Sequence, residues 1–197
     1  MLCHNRYPLP GHPSTCALDT AVVPLPSFLL LVGLAILLAL RKFRPNSEDY
    51  ASPPRKWLLY TYLFVVLAIF AMCIVELARF VAEDLGVGLI PMNLVGMILV
   101  FGALLIQRKG RTKTTSMLFL AYFLLLSIFM SVKVARLAKL NQLNPAKGSK
   151  YPSSDQLLDN SVILGLELVA VGIEIWTLLS FRRRTLDSSK LDKGPAV

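Results

Sequence analysis

The stretch WLLYTYLFVVLAIFAMCIVELARFV, from Trp57 to Val81, contains only two charged residues, Glu76 and Arg79. A helix needs roughly 20 mostly apolar residues to cross the hydrocarbon core of a bilayer, which is about 30 Å thick. Strands of a membrane β-barrel would be shorter and would alternate apolar with polar residues, which this stretch does not do. It therefore predicts a membrane-spanning α-helix over residues 57–81.

Four further stretches have the same character, and they cover residues 22–40, 85–106, 115–137 and 161–181. The 197-residue chain is 55% hydrophobic and still carries a net charge of +9, because most of its charge lies in short segments between these stretches. A soluble domain would distribute charge along its helices. We expect an all-α polytopic membrane protein with a bundle of about five transmembrane helices, in which residues 1–21 and 182–197 form the two tails.

The first stretch, residues 22–40, has the position of a secretory signal peptide. The segment that follows it begins with Arg41 and Lys42 instead of a small-residue cleavage site. We interpret it as a retained first helix. A bundle of four spans is the alternative.

Lys and Arg residues are divided unevenly between the two sides of the predicted spans. Fourteen of the 21 fall in the loop 41–56, the loop 107–114 and the tail 182–197. Cytosolic loops of membrane proteins carry an excess of Lys and Arg, so the N-terminus is predicted to lie outside or in a lumen and the C-terminus in the cytosol. The basic residues expected to meet the cytosol and anionic lipid headgroups are Arg41, Lys42, Arg44, Arg108, Lys109, Arg111, Lys113, Arg182, Arg183 and Arg184. The high charge therefore does not call for a nucleic-acid partner, and either the plasma membrane or an endomembrane, vacuolar or ER, fits this pattern.

The loop between the third and fourth spans has some of the residue types of a phosphate-binding loop. A P-loop needs two glycines followed by Lys-Ser/Thr, after a β-strand. Here Gly110 is followed by Arg111, and both the second glycine and the strand are missing. We therefore expect a solvated basic turn, with residues 114–116 capping the fourth helix, and we predict no bound nucleotide and no other cofactor.

Two cysteines, Cys3 and Cys16, fall in the predicted outside tail, where the environment permits a disulfide. Spacing alone does not show that their Cα atoms approach within bonding range, so the disulfide stays one of two alternatives. His4 and His12 lie near them, but the spacing matches no compact zinc pattern. No metal site is predicted.

Charged residues inside the predicted spans are expensive in hydrocarbon and face protein, water or a partner. Those near the predicted outer ends of the second, fourth and fifth spans are Glu76, Arg79, Lys133, Arg136 and Glu167. They could form an ionic cluster that links three helices. The alternative is that the basic side chains extend to the interface without a partner.

Glu174 lies about two turns from the predicted inner end of the fifth span, on nearly the same helix face as Glu167. Its own span offers no cation. The carboxyl could be protonated, could meet Asn93 or Gln107 of the third span, or could face a partner protein. The most specific of these hypotheses is that the Glu174 carboxyl takes part in coupled proton movement.

Four glycines inside the spans are predicted to mark helix-packing or partner-contact faces, because small residues let membrane helices approach closely. They are Gly96 and Gly102 in the third span and Gly165 and Gly172 in the fifth.

Two segments carry a resemblance to a known family. LLIQRKGRTKTTSMLFLAYFLL, from Leu104 to Leu125, and YASPPRKWLLYTYLF, from Tyr50 to Phe64, resemble the entries into the fourth and second helices of one particular domain. This is the extra N-terminal membrane domain (TMD0) of the C-subfamily, or multidrug-resistance-associated, ABC transporters, a group that includes the sulfonylurea receptors. The resemblance implies a non-catalytic domain beside a transport core, with roles in trafficking, stability and binding of membrane proteins. With sixteen residues after Phe181, we expect no transport core or nucleotide-binding domain here. The chain would then be either a stand-alone protein or a truncated product.

The leading hypothesis is a non-enzymatic module in the lipid bilayer that associates with a membrane-protein partner or with another copy of itself. Its preferred contact residues are Gly165, Glu167, Gly172 and Glu174 of the fifth span. A small transporter or channel whose path is lined by Glu76, Glu167 and Glu174 is the alternative. An intramembrane enzyme finds no support, because the spans hold no recognisable catalytic grouping.

Overall fold

The structure is a computed structural model that describes residues 21–43, 56–82, 87–109, 111–143 and 152–191. It has five helices: α1 (Leu25–Phe43), α2 (Lys56–Ala82), α3 (Pro91–Ile106), α4 (Lys113–Leu143) and α5 (Ser153–Leu191). A single 3₁₀ turn, Gln107–Lys109, follows α3. The predicted all-α fold with five helices is confirmed.

Three of the helices are long and apolar enough to cross a bilayer, namely α2, α4 and the part of α5 up to Arg182. The apolar segments of α1 (Leu25–Leu40) and α3 are shorter. The 16 residues of α3 rise about 24 Å, which is less than the thickness of the hydrocarbon core. The chain is thus an integral membrane protein in which three full-length helices are accompanied by two short ones.

The helices pack around a common apolar core. α5 lies against α4 and α2, α3 lies against α2, and α1 lies against α3 and α4. Buried side chains such as Ile69, Val100, Phe123 and Ile163 come from four different helices. Phe64, by contrast, is 70% exposed, and large apolar side chains are exposed on every helix, as expected where lipid tails replace water.

The start of α3 differs from the prediction. Hydropathy places the third span at residues 85–106, whereas α3 begins at Pro91. Gly88 has a φ of +54°, a left-handed turn conformation that suits glycine and cannot belong to a regular α-helix. Pro91 is the first residue of α3, where a missing N–H costs no helical hydrogen bond.

The helices that contain the last two predicted spans begin before those spans, at Lys113 and Ser153 instead of residues 115 and 161. Thr112 caps α4, because its Oγ1 accepts a hydrogen bond from the N–H of Thr115 at 3.4 Å, so the cap predicted at residues 114–116 is wrong. α5 begins eight residues early, and the carbonyl of Pro152 accepts bonds from the N–H groups of Asp155 and Gln156. Hydropathy predicts the apolar part of a helix, whereas the helical backbone hydrogen bonds can continue into the polar residues on either side.

These two helices also continue beyond the predicted span ends at residues 137 and 181. α4 continues to Leu143 and α5 continues to Leu191, so much of the predicted tail 182–197 is helical.

A polar contact joins the two short helices to α4. Ser27 Oγ donates to Asn93 Oδ1 at 3.1 Å and lies 3.3 Å from the hydroxyl of Tyr122. Gly96 lies directly beside this contact. A Cβ at position 96 would be 2.7 Å from Ser27 Oγ and closer still to the Tyr122 hydroxyl.

We expect Gly96→Ala to lower the free energy of unfolding by about 1–3 kcal/mol, the usual cost of overpacking a tight contact. Thermal unfolding in detergent measures the change. Gly102→Ala on the same helix is the matched control, since nothing lies within 4 Å of a Cβ there. Equal shifts of the two variants would contradict the close approach of α1 and α4 at Gly96.

Candidate functional site

Three side chains that are distant in sequence form a buried group, the Arg111 cluster: Tyr62 of α2, Arg111 before α4, and Glu174 of α5. The Tyr62 hydroxyl donates to Glu174 Oε1 at 2.5 Å. Arg111 Nη2 donates to the same oxygen. The Arg111 and Glu174 side chains are 6% and 0% exposed, so the bundle encloses a complete ion pair.

The burial of Arg111 corrects the prediction that the whole basic loop is solvated. Its guanidinium carbon lies 5.0 Å from the ring centroid of Phe119 and 5.5 Å from that of Tyr62. Both are within the range of cation–π attraction. Arg111 therefore holds the α3–α4 connection against α2 and α5, while Arg108 and Lys113 in the same segment are exposed.

Glu174 Oε1 bonds to Tyr62 and Arg111 and not to the predicted Asn93 or Gln107, while its Oε2 is buried with no hydrogen bond to a described residue. Asn93 bonds to Ser27 instead. Gln107 Nε2 donates to Thr115 Oγ1 at 3.2 Å. Arg111, from the connection before α4, is the counter-ion of Glu174 in place of the expected contact with α3. The one sequence signal for such a counter-ion was that the fifth span contains no cation of its own.

A second buried group, the Lys133 cluster, contains Glu76 of α2, Lys133 of α4 and Glu167 of α5. Lys133 Nζ donates to Glu76 Oε1 at 2.5 Å, and both side chains are 4% exposed. Lys133 Nζ also lies 5.8 Å from the centroid of the Phe80 ring. Glu167 is 1% exposed and interacts electrostatically with both Glu76 and Lys133.

The other predicted members of this ionic group lie elsewhere. Arg79 Nη1 donates to Asp159 Oδ2 at 2.5 Å and is 42% exposed, so its pair is closer to the surface. Asp159 is not among the charged residues that the sequence singles out, because it precedes the predicted fifth span. Arg136 is partly buried one turn after Lys133. The structure thus links α2, α4 and α5 by ion pairs, with Asp159 as an additional member.

The residues chosen on α5 as partner contacts divide into two sets. Glu167 and Glu174 are buried inside the bundle, so the prediction that they contact a partner is wrong. Gly165 and Gly172 are exposed, and nothing lies within 4 Å of a Cβ built at either. Only the glycines lie on a face that a second protein can reach.

Several predicted residues cannot be compared at the side-chain level. Cys3, Cys16, His4, His12 and Arg44 lie outside the described residues, and only the backbone is described for Arg41, Lys42, Lys109, Arg183 and Arg184. Arg182 is exposed at the end of the apolar part of α5. Among the residues with described side chains, no three His, Cys, Asp or Glu are grouped as a metal site.

The family model of the ABC transporter TMD0 domain matches residues 5–151, about three quarters of the chain. The chain belongs to the ABC transporter TMD0 domain family. The matched range of the TMD0 domain includes α1 to α4 and ends just before α5 begins at Ser153. Tyr62 and Arg111 therefore lie inside the match, whereas Glu174 lies beyond it. No curated protein and no solved structure matches the chain.

Membership confirms the predicted resemblance to a TMD0 domain and identifies the chain as an accessory membrane domain of the kind found in ABC transporters. The Arg111 cluster and the Lys133 cluster hold this domain together across three helices. Both clusters lie on one side of α5, and Gly165 and Gly172 are exposed on the other side.

Proposed function

We propose that this TMD0 domain is a non-catalytic module that docks, within the membrane, on a transmembrane helix of the transport core of a C-subfamily ABC transporter. The contact surface is the glycine face of α5, which we define as Val162, Gly165, Val169, Gly172 and Trp176. All five residues are exposed. They follow one another at intervals of three or four residues and so form one stripe along the helix.

The observation that carries the proposal is the open space over Gly165 and Gly172. Lipid tails are as apolar as a helix surface, so association in a membrane depends on close van der Waals packing, and glycine permits the closest approach. Trp176, which is 58% exposed, provides a large rigid contact beside this space. A partner helix can therefore seat against the glycine face with α5 already in position.

The two clusters explain why α5 is pre-organised for this contact. Glu167 and Glu174 lie seven residues apart, which is about 10 Å along the helix axis. Glu174 is bonded to Tyr62 and Arg111, and Glu167 lies within the Lys133 cluster. With its buried side fixed at two levels, α5 loses little further freedom when a partner binds.

A photo-cross-linking residue at Val169, introduced in native membranes, tests the docking. We expect a discrete adduct with the core of an ABC transporter and its loss when Gly172→Ile fills the open space. Phe64 on α2 is 70% exposed, against 48% for Val169, but lies outside the glycine face, so a cross-linker there should give no such adduct. Gly102→Ile, which fills open space on α3, should leave the Val169 adduct intact.

Adducts of equal yield from positions 169 and 64 would rule out the glycine face as a specific surface. An adduct with another copy of the chain would show that the glycine face mediates homo-oligomerisation and not docking on a transporter.

The alternative of a transport path lined by Glu76, Glu167 and Glu174 receives less support. Glu76 and Glu174 are already bonded to buried cations. A path would need these pairs to open. Flux in reconstituted liposomes that Glu174→Gln abolishes would favour it over the accessory role.

A further inference from the structure

The Lys133 cluster contains more negative than positive groups. Glu76 and Glu167 are carboxyl groups, Lys133 is an ammonium, and each is at most 4% exposed. Lys133 already donates to Glu76 at 2.5 Å. Glu167 Oε2 is buried and accepts no hydrogen bond from any described residue.

Among the described residues, Lys133 is the one cation that interacts electrostatically with Glu167. Glu76 and Cys73 interact with it from α2, and Lys133 and Tyr122 interact with it from α4. Cysteine and tyrosine are ordinarily neutral at neutral pH. If both carboxyl groups were ionised, the cluster would keep one uncompensated negative charge in the membrane interior, which is among the most costly arrangements in a protein.

We propose that Glu167 binds a proton and remains a neutral carboxylic acid in the folded bundle, so that the Lys133 cluster is a buried proton-binding site. A bound proton brings the net charge of the cluster to zero, with Glu76 and Lys133 as the ion pair. The proposal does not depend on any docking partner, so it can fail or succeed separately from the proposed function.

The bound proton links the packing of α5 to pH. Solvated carboxyl groups are ionised at neutral pH, so the folded protein holds one more proton than the unfolded protein. Where the folded state binds more protons, stability falls as the pH rises. Release of the proton from Glu167 places a second negative charge beside Glu76 and loosens the contact of α5 with α2 and α4.

Infrared spectroscopy of the purified protein at neutral pH tests the site directly, because a protonated carboxyl group has a C=O stretching band that carboxylates lack. We expect one such band from the membrane interior, and we expect Glu167→Gln to remove it. Glutamine has the shape of the protonated acid, so this variant should stay folded. Asp159→Asn is the matched control, because Asp159 is 5% exposed but is ion-paired with Arg79, and the band should persist.

Thermal unfolding across neutral and alkaline pH gives the second readout. The melting temperature of the unaltered protein should fall as the pH rises, and that of Glu167→Gln should fall less. Absence of the carboxylic-acid band at neutral pH, or a band that survives in Glu167→Gln, would overturn the proposal. So would an identical pH dependence of the two proteins.

Discussion

Replacement of Arg111 by methionine should lower the free energy of unfolding by about 3–5 kcal/mol, the usual cost of removing one partner of a buried ion pair. The substitution leaves Glu174, which is 0% exposed, without its counter-ion. Methionine retains much of the aliphatic contact with Tyr62 and Phe119, so the loss reports mainly the charge. Equilibrium unfolding in mixed detergent micelles measures the difference.

Arg108→Met is the matched control, since Arg108 lies in the same connection but is exposed. Exposed substitutions of this kind change stability by about 0.5 kcal/mol or less. A similar small effect at both positions would show that Arg111 is not held in the bundle by Glu174.

A double substitution separates the pair from the individual residues. Replacing Arg111 and Glu174 together by methionine removes both charges, and a buried ion pair can often be replaced by apolar residues at little cost. We expect the double variant to recover part of the stability lost by Arg111→Met, although the Tyr62 hydroxyl then loses its acceptor. Additive losses would mean that the two charges are not coupled.

The sequence predicts the helices well because a helix that crosses a bilayer requires a long apolar stretch, which hydropathy detects directly. α2 extends only one residue beyond each end of the predicted range 57–81. Spacing also places Glu167 and Glu174 on one face of α5. It does not predict which way that face points, because lipid tails and the protein interior are equally apolar.

Arg111 shows the corresponding limit for the candidate site. Four basic residues between two spans are typical of a cytosolic loop, and nothing in that pattern predicts that Arg111 is buried while Arg108 and Lys113 are exposed. The contact among Tyr62, Arg111 and Glu174 joins residues separated by up to 112 positions. The short turn after α3 determines that contact, and its geometry has no periodic signal in the sequence.

Lys133 is the site of the second large effect. Lys133→Met removes the positive charge that balances Glu76, and we expect a loss of about 3–5 kcal/mol in the free energy of unfolding. Lys139→Met is the control on the same helix, since Lys139 is exposed and should contribute little. Equilibrium unfolding in mixed detergent micelles measures the free energy of unfolding of both variants.

The neighbouring carboxyl group makes the cluster asymmetric. In Glu76→Gln, Lys133 can pair with Glu167 instead, because Glu167 interacts with Lys133 in the same buried group. In Lys133→Met, neither carboxyl group gains a replacement cation, and only protonation can remove the charge. We therefore expect Glu76→Gln to cost less than Lys133→Met, and we expect the stability of Lys133→Met to rise as the pH is lowered. If Glu76→Gln proves as costly as Lys133→Met, Glu167 does not act as a reserve counter-ion, and the cluster is a simple pair.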